Sequence, residues 1–364
     1  MKKWKSGLTA CLAAAAGVGY YFSNRLLYIK KKDDPFILKR EMDAKQFHPE
    51  EFNRLPKEEF WISSPFGYSL KAVLIRPYPH KKFMIFCHGV TENKISSIKY
   101  LNLFLKLGFN GVIYDHRRHG ESGGKTTSYG FYEKHDLKAV VDELIKREGD
   151  GVFFGIHGES MGAATALLYA GEIEDRADFY IADCPFSDFR KQIARQMKQE
   201  LGFAPKPLVQ LAEWSVLWRD GFSLKSISPL AAVSAIRHPV LFIHSEEDDY
   251  ILPDMSKELY ERKKGLKNCI WLKMEPTPVP ISKIRKNMKT WFGSFCTILS
   301  ASRFNSFILT ARPSFPVNLD LSYPLTSSNH LKSRSHFLIE MCRSDSNQAL
   351  SDHQKRFFWI FPLK

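Results

Sequence analysis

At 364 residues, the chain is long enough for one large α/β domain with an appendage, and its 44% hydrophobic and 25% charged content is that of a globular protein. The net charge of +14 raises nucleic acid or an anionic membrane as partners, but more than half of the excess lies beyond Cys269. No basic stripe interleaved with aromatics and no nucleic-acid motif occurs, so no nucleic-acid partner is expected. Cys11, Cys87, Cys184, Cys269, Cys296 and Cys342 form neither a CxxC nor a paired framework, so neither a disulfide scaffold nor a zinc site is indicated.

Lys2, Lys3 and Lys5 precede an apolar run over 7–22, and Arg25 and Lys30 to Lys32 follow it. The run is slightly short of the ~20 residues that span a bilayer squarely. Residues 1–32 are expected to be an uncleaved single-pass membrane anchor. A cleaved signal peptide, with Ala13 to Ala16 near the cut and a secreted product, and a soluble helix are the alternatives. Both flanks are positive, so no orientation follows. Residues 33–58 are polar and proline-punctuated, as in a linker.

Phe60 to Ser64 and Ser69 to Ile75 read as strands joined by a Pro-Phe-Gly turn. Short apolar strands and amphipathic helices then alternate. Strands are expected over 83–87, 111–114, 152–156, 179–182 and 240–243, and helices over 95–107, 135–146 and 161–169. Continuous apolar strands between helices predict a mostly parallel, doubly wound sheet covered on both faces. The alternation breaks over 186–224, a helical stretch carrying Phe203, Trp214, Trp218 and Phe222. It reads either as a cap with an apolar underside over the carboxyl edge of the sheet, or as a helical excursion with its own small core.

Gly158-Glu159-Ser160-Met161-Gly162 has the spacing of a nucleophile elbow and lies between an expected strand and an expected helix. The turn is so tight that side chains two before and two after the serine would clash. Ser160 is the candidate nucleophile. It needs a base, and the base needs a carboxylate. Glu246, Glu247, Asp248 and Asp249 follow a later strand and compete for that role. Oxyanion donors are expected from the backbone of Met161 and of the loop His88 to Thr91, with Val90 the preferred donor. His88 precedes the nucleophile and ends a strand, which suits loop shaping better than base catalysis. His119 and His157, in turns around glycines, carry the same structural expectation.

Together, Cys87-His88-Gly89, the stretch Tyr114 to Ser122, Gly158 to Gly162, Asp183-Cys184-Pro185-Phe186 and His244 to Met255 resemble the Bem46-like group of α/β-hydrolases, which includes bacterial membrane-anchored members. The resemblance runs from about Phe60 to Lys267 and implies an α/β-hydrolase domain over 59–268 with a cap insertion at 186–224. It implies hydrolysis of esters or amides, usually of apolar acyl groups, without metal or cofactor. In this group the acid strand ends His-Gly-x-x-Asp-x-x-Val-Pro. Laid on His244 to Leu252, that pattern places the acid on Asp248, with Asp249 second and Ser245 and Leu252 as departures.

The group's catalytic histidine follows the acid by about 28 to 30 residues in a Gly-x-His-Ala-x-Ser-Tyr stretch. Here the window Lys273 to Pro280 has none, and no histidine occurs between His244 and His330. Regrouping the codons by one base restores the pattern. Asn268–Cys269 then forces Leu, Met274–Glu275 forces Gly, and Pro276–Thr277 permits His. Met288–Lys289 forces Glu, Trp291–Phe292 forces Val, and Phe295–Cys296 forces Leu. A frameshift near Asn268 is therefore expected. Residues 269–364 would be an irregular, non-family tail, and the chain as written would lack the base, the last parallel strand and the closing helix. His330, His336 or His353 could act as the base only if the tail folded back. Three functions remain open: a membrane-anchored serine hydrolase acting on apolar esters, with peptide bonds second; a non-catalytic protein keeping the fold; and a basic membrane-surface module.

Overall fold

A computed structural model describes residues 2–203 and 205–272. An N-terminal helix α1 (Lys2–Leu27) and two short helices, α2 (Asp34–Asp43) and α3 (Pro49–Arg54), precede the sheet. Strands β1 (Lys57–Ser63) and β2 (Ser69–Ile75) form a hairpin whose turn uses Gly67 at φ +80°. The chain continues through β3 (Lys82–Cys87), α4 (Ile98–Leu105), β4 (Asn110–Tyr114), α5 (Glu133–Glu148), β5 (Phe153–Glu159), α6 (Met161–Leu168) and β6 (Phe179–Asp183). Helices α7 (Phe189–Leu201), α8 (Lys206–Asp220) and α9 (Pro229–Ala232) come next, then β7 (Val240–Ser245), α10 (Pro253–Arg262) and β8 (Lys267–Leu272).

Among the described residues the sheet has eight strands in the order β1-β2-β4-β3-β5-β6-β7-β8. It is parallel from β4 to β8 and antiparallel where β2 meets β1 and β4. Phe83, Ile85 and Cys87 share a core with Leu137, Val140, Val141 and Leu144 of α5. Phe86 points to the opposite face, 5.8 Å from the ring of Phe104 in α4. Burial on both faces is why these strands are unbroken apolar runs. This is the mostly parallel, helix-covered sheet that the alternation predicts.

The expected loss of the last parallel strand needs correction. β8 runs through Leu272 and pairs in parallel register with β7, Ile243 opposite Ile270 and Ser245 opposite Leu272. Whatever frame produced them, Cys269 to Leu272 are apolar and extend as a strand. All six β8 residues are half-buried, as befits the edge of the described sheet. The remainder of the expected tail, 273–364, including the candidate window and the late histidines, lies outside the described residues.

The single-pass anchor finds no support in α1. Residues 7–22 do form a helix, but among the described residues no helix is long and apolar enough to cross a membrane. Gly7, Thr9, Gly17 and Gly19 dilute the run, and Ser23, Asn24 and Arg25 end it. The second half of α1 packs on α8 instead. A Cβ on Gly19 would lie 2.7 Å from the Leu211 carbonyl oxygen, so the backbones touch there. Ser23 Oγ bonds Ser215 Oγ at 2.8 Å, the Arg25 guanidinium grips Glu200, and Leu27 is buried.

Residues 33–58, read as a linker, hold α2 and α3, with Ile37 and Glu41 buried. In the 186–224 stretch, Phe222 is buried and stacks on Phe131 at 5.1 Å, whereas Phe203, Trp214 and Trp218 face outward. Phe189, Ile193, Met197, Val209 and Val216 share a core with Met161, Ala164 and Leu168 of α6. The insertion is thus packed on the helix that follows Ser160, and its apolar underside is aliphatic more than aromatic.

Candidate active site

Strands β3, β5, β6 and β7 are consecutive neighbours in the sheet, so the segments leaving their carboxyl ends meet at one edge. Ser160 sits between β5 and α6 with φ +54° and ψ −112°. A side-chain-bearing residue at positive φ is strained and persists only where its surroundings over-determine it. Here the Ser160 amide donates to the Asp183 carbonyl at 2.8 Å, and its carbonyl accepts from the Ala164 amide at 3.0 Å. A Cβ on Gly158 would lie 2.3 Å from the Gly162 carbonyl carbon, and one on Gly162 would lie 2.0 Å from the Cys87 carbonyl oxygen. Both glycines are therefore required by close backbone packing. Met161, buried, opens α6 directly behind Ser160.

The loop after β3 lies against this turn. A Cβ built on Gly89 would be 3.7 Å from Ser160 Cβ, and the half-buried Val90 follows. The loop is shaped by histidines. His88 Nε2 accepts from the His116 amide at 3.0 Å, so Nδ1 carries the proton and donates to the Gly89 carbonyl at 2.8 Å. Thr91, at φ +69°, donates its amide to His119 Nε2 at 3.3 Å, and His119 Nδ1 donates to the Arg117 carbonyl at 2.8 Å. Burial pulls His88 down to about 4 and His119 down to about 3, which keeps both neutral as this bonding demands. His157 is buried, with its ring 4.0 Å from Tyr100, and burial draws it down to about 3.

A second set of supports comes from the N-terminal segment. Glu92 is 3% exposed and accepts from Lys32 Nζ at 2.5 Å and from the Arg40 guanidinium at 2.9 and 2.8 Å. Burial alone would raise its carboxyl; the two cations more than reverse that and hold it at about 2. The Lys32 amide also donates to the Thr91 carbonyl at 2.9 Å. Below the loop, the buried Asp115 accepts from the Lys94 amide and ammonium, both at 2.8 Å. Sequence reasoning missed the Arg40–Glu92 clamp because its partners are 52 positions apart with no motif between them.

Of the four competing acids, Glu246, Glu247 and Asp249 are exposed, and Asp248 is half-buried. Asp248 Oδ1 accepts the amides of Tyr250 and Ile251, both at 2.9 Å. Its Oδ2 lies 3.5 Å from Nε2 of the fully buried His244, whose ring also bonds Ser256 Oγ at 2.6 Å and the Ile251 carbonyl at 2.8 Å. The charge of Asp248 reaches Cys184, where burial first, then Asp183, Glu159 and Asp248, push the thiol up.

The structure thus gathers Ser160, Met161 and the Gly89–Val90 loop, and fixes Asp248 on the loop after β7. Among the described residues, no histidine bonds the Ser160 hydroxyl, and no group of three or more His, Cys, Asp or Glu side chains is placed to hold a metal. A strained serine at a helix start, with a second backbone loop against it, suits attack on an acyl carbon and stabilisation of the resulting oxyanion.

The sequence profile of the family described as serine aminopeptidase, S33, matches residues 78–220. The uncharacterized protein YqkD of Bacillus subtilis (strain 168) is 48% identical over 268 residues, which is 73% of this chain and 88% of that protein. The lysophosphatidylserine lipase ABHD12 of Xenopus tropicalis is 25% identical over 204 residues, 52% of this chain but only 47% of that longer protein. Among solved structures, the Pyrococcus furiosus esterase Pf2001 is similar at a TM-score of 0.52 and 25% identity, covering 67% of this chain and 96% of that one.

Proposed function

The chain belongs to the α/β-hydrolase superfamily, and we propose that it is a serine hydrolase of the carboxylic-ester type acting on small apolar acyl substrates. The observation that carries this reading is the strained Ser160 turn with the Gly89 loop packed against it. Ser160 Oγ attacks the acyl carbon and gives its proton to a general base. The oxyanion is held by the amides of Met161 and Val90. Collapse expels the alcohol, which takes up the proton, and water then repeats the sequence on the acyl-serine, restoring the serine. Asp248 is the carboxylate that would orient the base, its own geometry fixed by two amides.

The base of this Ser-His-Asp mechanism falls outside the described residues. We assign it to the one-base-shifted reading, in which the Pro276–Thr277 codon permits a histidine about 29 positions after Asp248. The break belongs near Asn268, and the apolar character of Cys269 to Leu272 preserves β8 despite it. The esterase neighbour and the lipase relative support the ester class. The aminopeptidase description of the matching profile favours an amide-cleaving second reading.

A fluorophosphonate probe and p-nitrophenyl butyrate, applied to the chain as written and to a frame-restored chain, test this. The restored chain is expected to be labelled and to turn over the ester, and Ser160→Ala to abolish both. The chain as written should be slower by a factor of about 10⁴ or more, as for loss of a triad base. Turnover of aminoacyl amides but not esters would favour the second reading. No labelling of the restored chain would refute both.

A further inference from the structure

On α1, Leu8 and Leu12 are exposed, and so is every side chain from Lys5 to Ala14. They lie on the same helical stripe as Ala15, Gly19 and Phe22, which is covered from Ala15 onward, so the stripe continues uncovered toward Lys5. On α8, Val209, Ala212 and Val216 are buried, whereas Trp214, Leu217 and Trp218 form a second stripe at i, i+3 and i+4, with Trp218 87% exposed. Trp214 and Trp218 each adjoin a residue that touches α1: Ser215 bonds Ser23, and the Arg219 guanidinium lies 4.3 Å from the Tyr20 ring. Gly19 meets Leu211 and Ser23 meets Ser215, so Leu8 and Leu12 extend the α1 side of this seam past the start of α8, and Trp214 and Trp218 flank it on the α8 side.

We propose that this seam is a docking surface for an anionic lipid bilayer, with α1 and α8 lying in the plane of the interface and neither crossing it. Exposed tryptophan and tyrosine beside leucine is the composition that settles at the headgroup boundary, where a ring has both apolar and polar neighbours. Lys2, Lys3 and Lys5 flank the uncovered leucines, so the charge complement is an anionic headgroup. In an in-plane helix these lysines lie beside the headgroups. The surface stands independently of the catalytic reading.

Flotation of the full chain with vesicles of phosphatidylcholine and phosphatidylglycerol (about 7:3), against phosphatidylcholine alone, tests the proposal. Binding is expected to be at least about tenfold stronger on the anionic vesicles and to weaken at high salt. Trp214→Ala/Trp218→Ala and Leu8→Glu/Leu12→Glu should each cut it by about tenfold or more, with unchanged circular dichroism and urea midpoint. Equal binding by wild type and both double variants would overturn the proposal and place the membrane contact elsewhere. No vesicle binding, with a dimer in solution that both variants dissociate, would overturn it in favour of an interface between copies. No binding to either vesicle overturns it outright.

Discussion

Replacing Arg40 by methionine is expected to loosen the loop that leans on Ser160. Glu92, in that loop, is held by Arg40 and Lys32 at about 2, against an ordinary value of 4.5. A gap of about 2.5 units at 1.36 kcal/mol each favours the ionised, folded form by about 3 kcal/mol, as an order of magnitude. The folded pKa is depressed, so this stability is complete above about pH 4.5 and fades as pH falls toward 2. Removing one partner of a buried pair costs about 3–5 kcal/mol, and the retained Lys32 keeps the expectation near the lower figure. Arg40 also bonds the buried Glu41, so a Glu92→Gln variant and the double variant are needed to isolate the clamp. Urea unfolding at pH 7 should show Arg40→Met lower by about 3 kcal/mol, with much of the loss recovered in Arg40→Met/Glu92→Gln. At pH 3 the penalty should shrink. A penalty below about 1 kcal/mol at pH 7, or one unchanged between pH 7 and pH 3, would refute the clamp.

Three further substitutions probe other parts of the fold. Gly162→Ala would press a methyl to 2.0 Å from the Cys87 carbonyl oxygen and is expected to cost more than about 4 kcal/mol, read as a lost or sharply lowered melting transition. Gly17→Ala, with nothing within 4 Å, should instead gain about 0.5–1 kcal/mol, and equal melting of the two variants would contradict this account. Burial pushes Asp136 up to about 6 despite bonds from the Ser64 and Tyr68 hydroxyls. Because that folded value lies above the ordinary 3.8, its contribution to stability is largest below about pH 4 and falls by about 3 kcal/mol as pH rises to 6. Asp136→Asn should flatten that part of the pH–stability curve, and an unchanged slope would place the titration elsewhere.

What was legible in the sequence was local and periodic. Phe83 to Cys87 and Val152 to Ile156 read as strands because both their faces are buried, and Ser160 stood out because its glycines are needed within two residues. Contacts between distant segments were not legible. The run over 7–22 has an anchor's composition, but Gly19 and Ser23 set its fate by meeting Leu211 and Ser215. Nothing periodic separated Trp214 and Trp218, facing out, from Val209 and Val216, facing in, because polarity does not mark the buried face: Glu213 is buried on the same helix. β8 was missed for another reason. Codons record ancestry, whereas a strand forms from the residues present, and Ile270 and Leu272 suffice.

The amide of Lys32 bonded to the carbonyl of Thr91 bears on how this chain should be cut for study. A tidy fragment beginning at β1 would retain the whole sheet, and one drawn from the matched profile would begin later still, at residue 78. Either would discard Lys32 and Arg40 and leave the Glu92 carboxylate unpaired beneath the loop that faces Ser160. Truncation experiments meant to remove only α1 would then report a damaged site, and a dead fragment would say nothing about whether the helix matters. Cuts between Tyr28 and Lys31 spare the clamp.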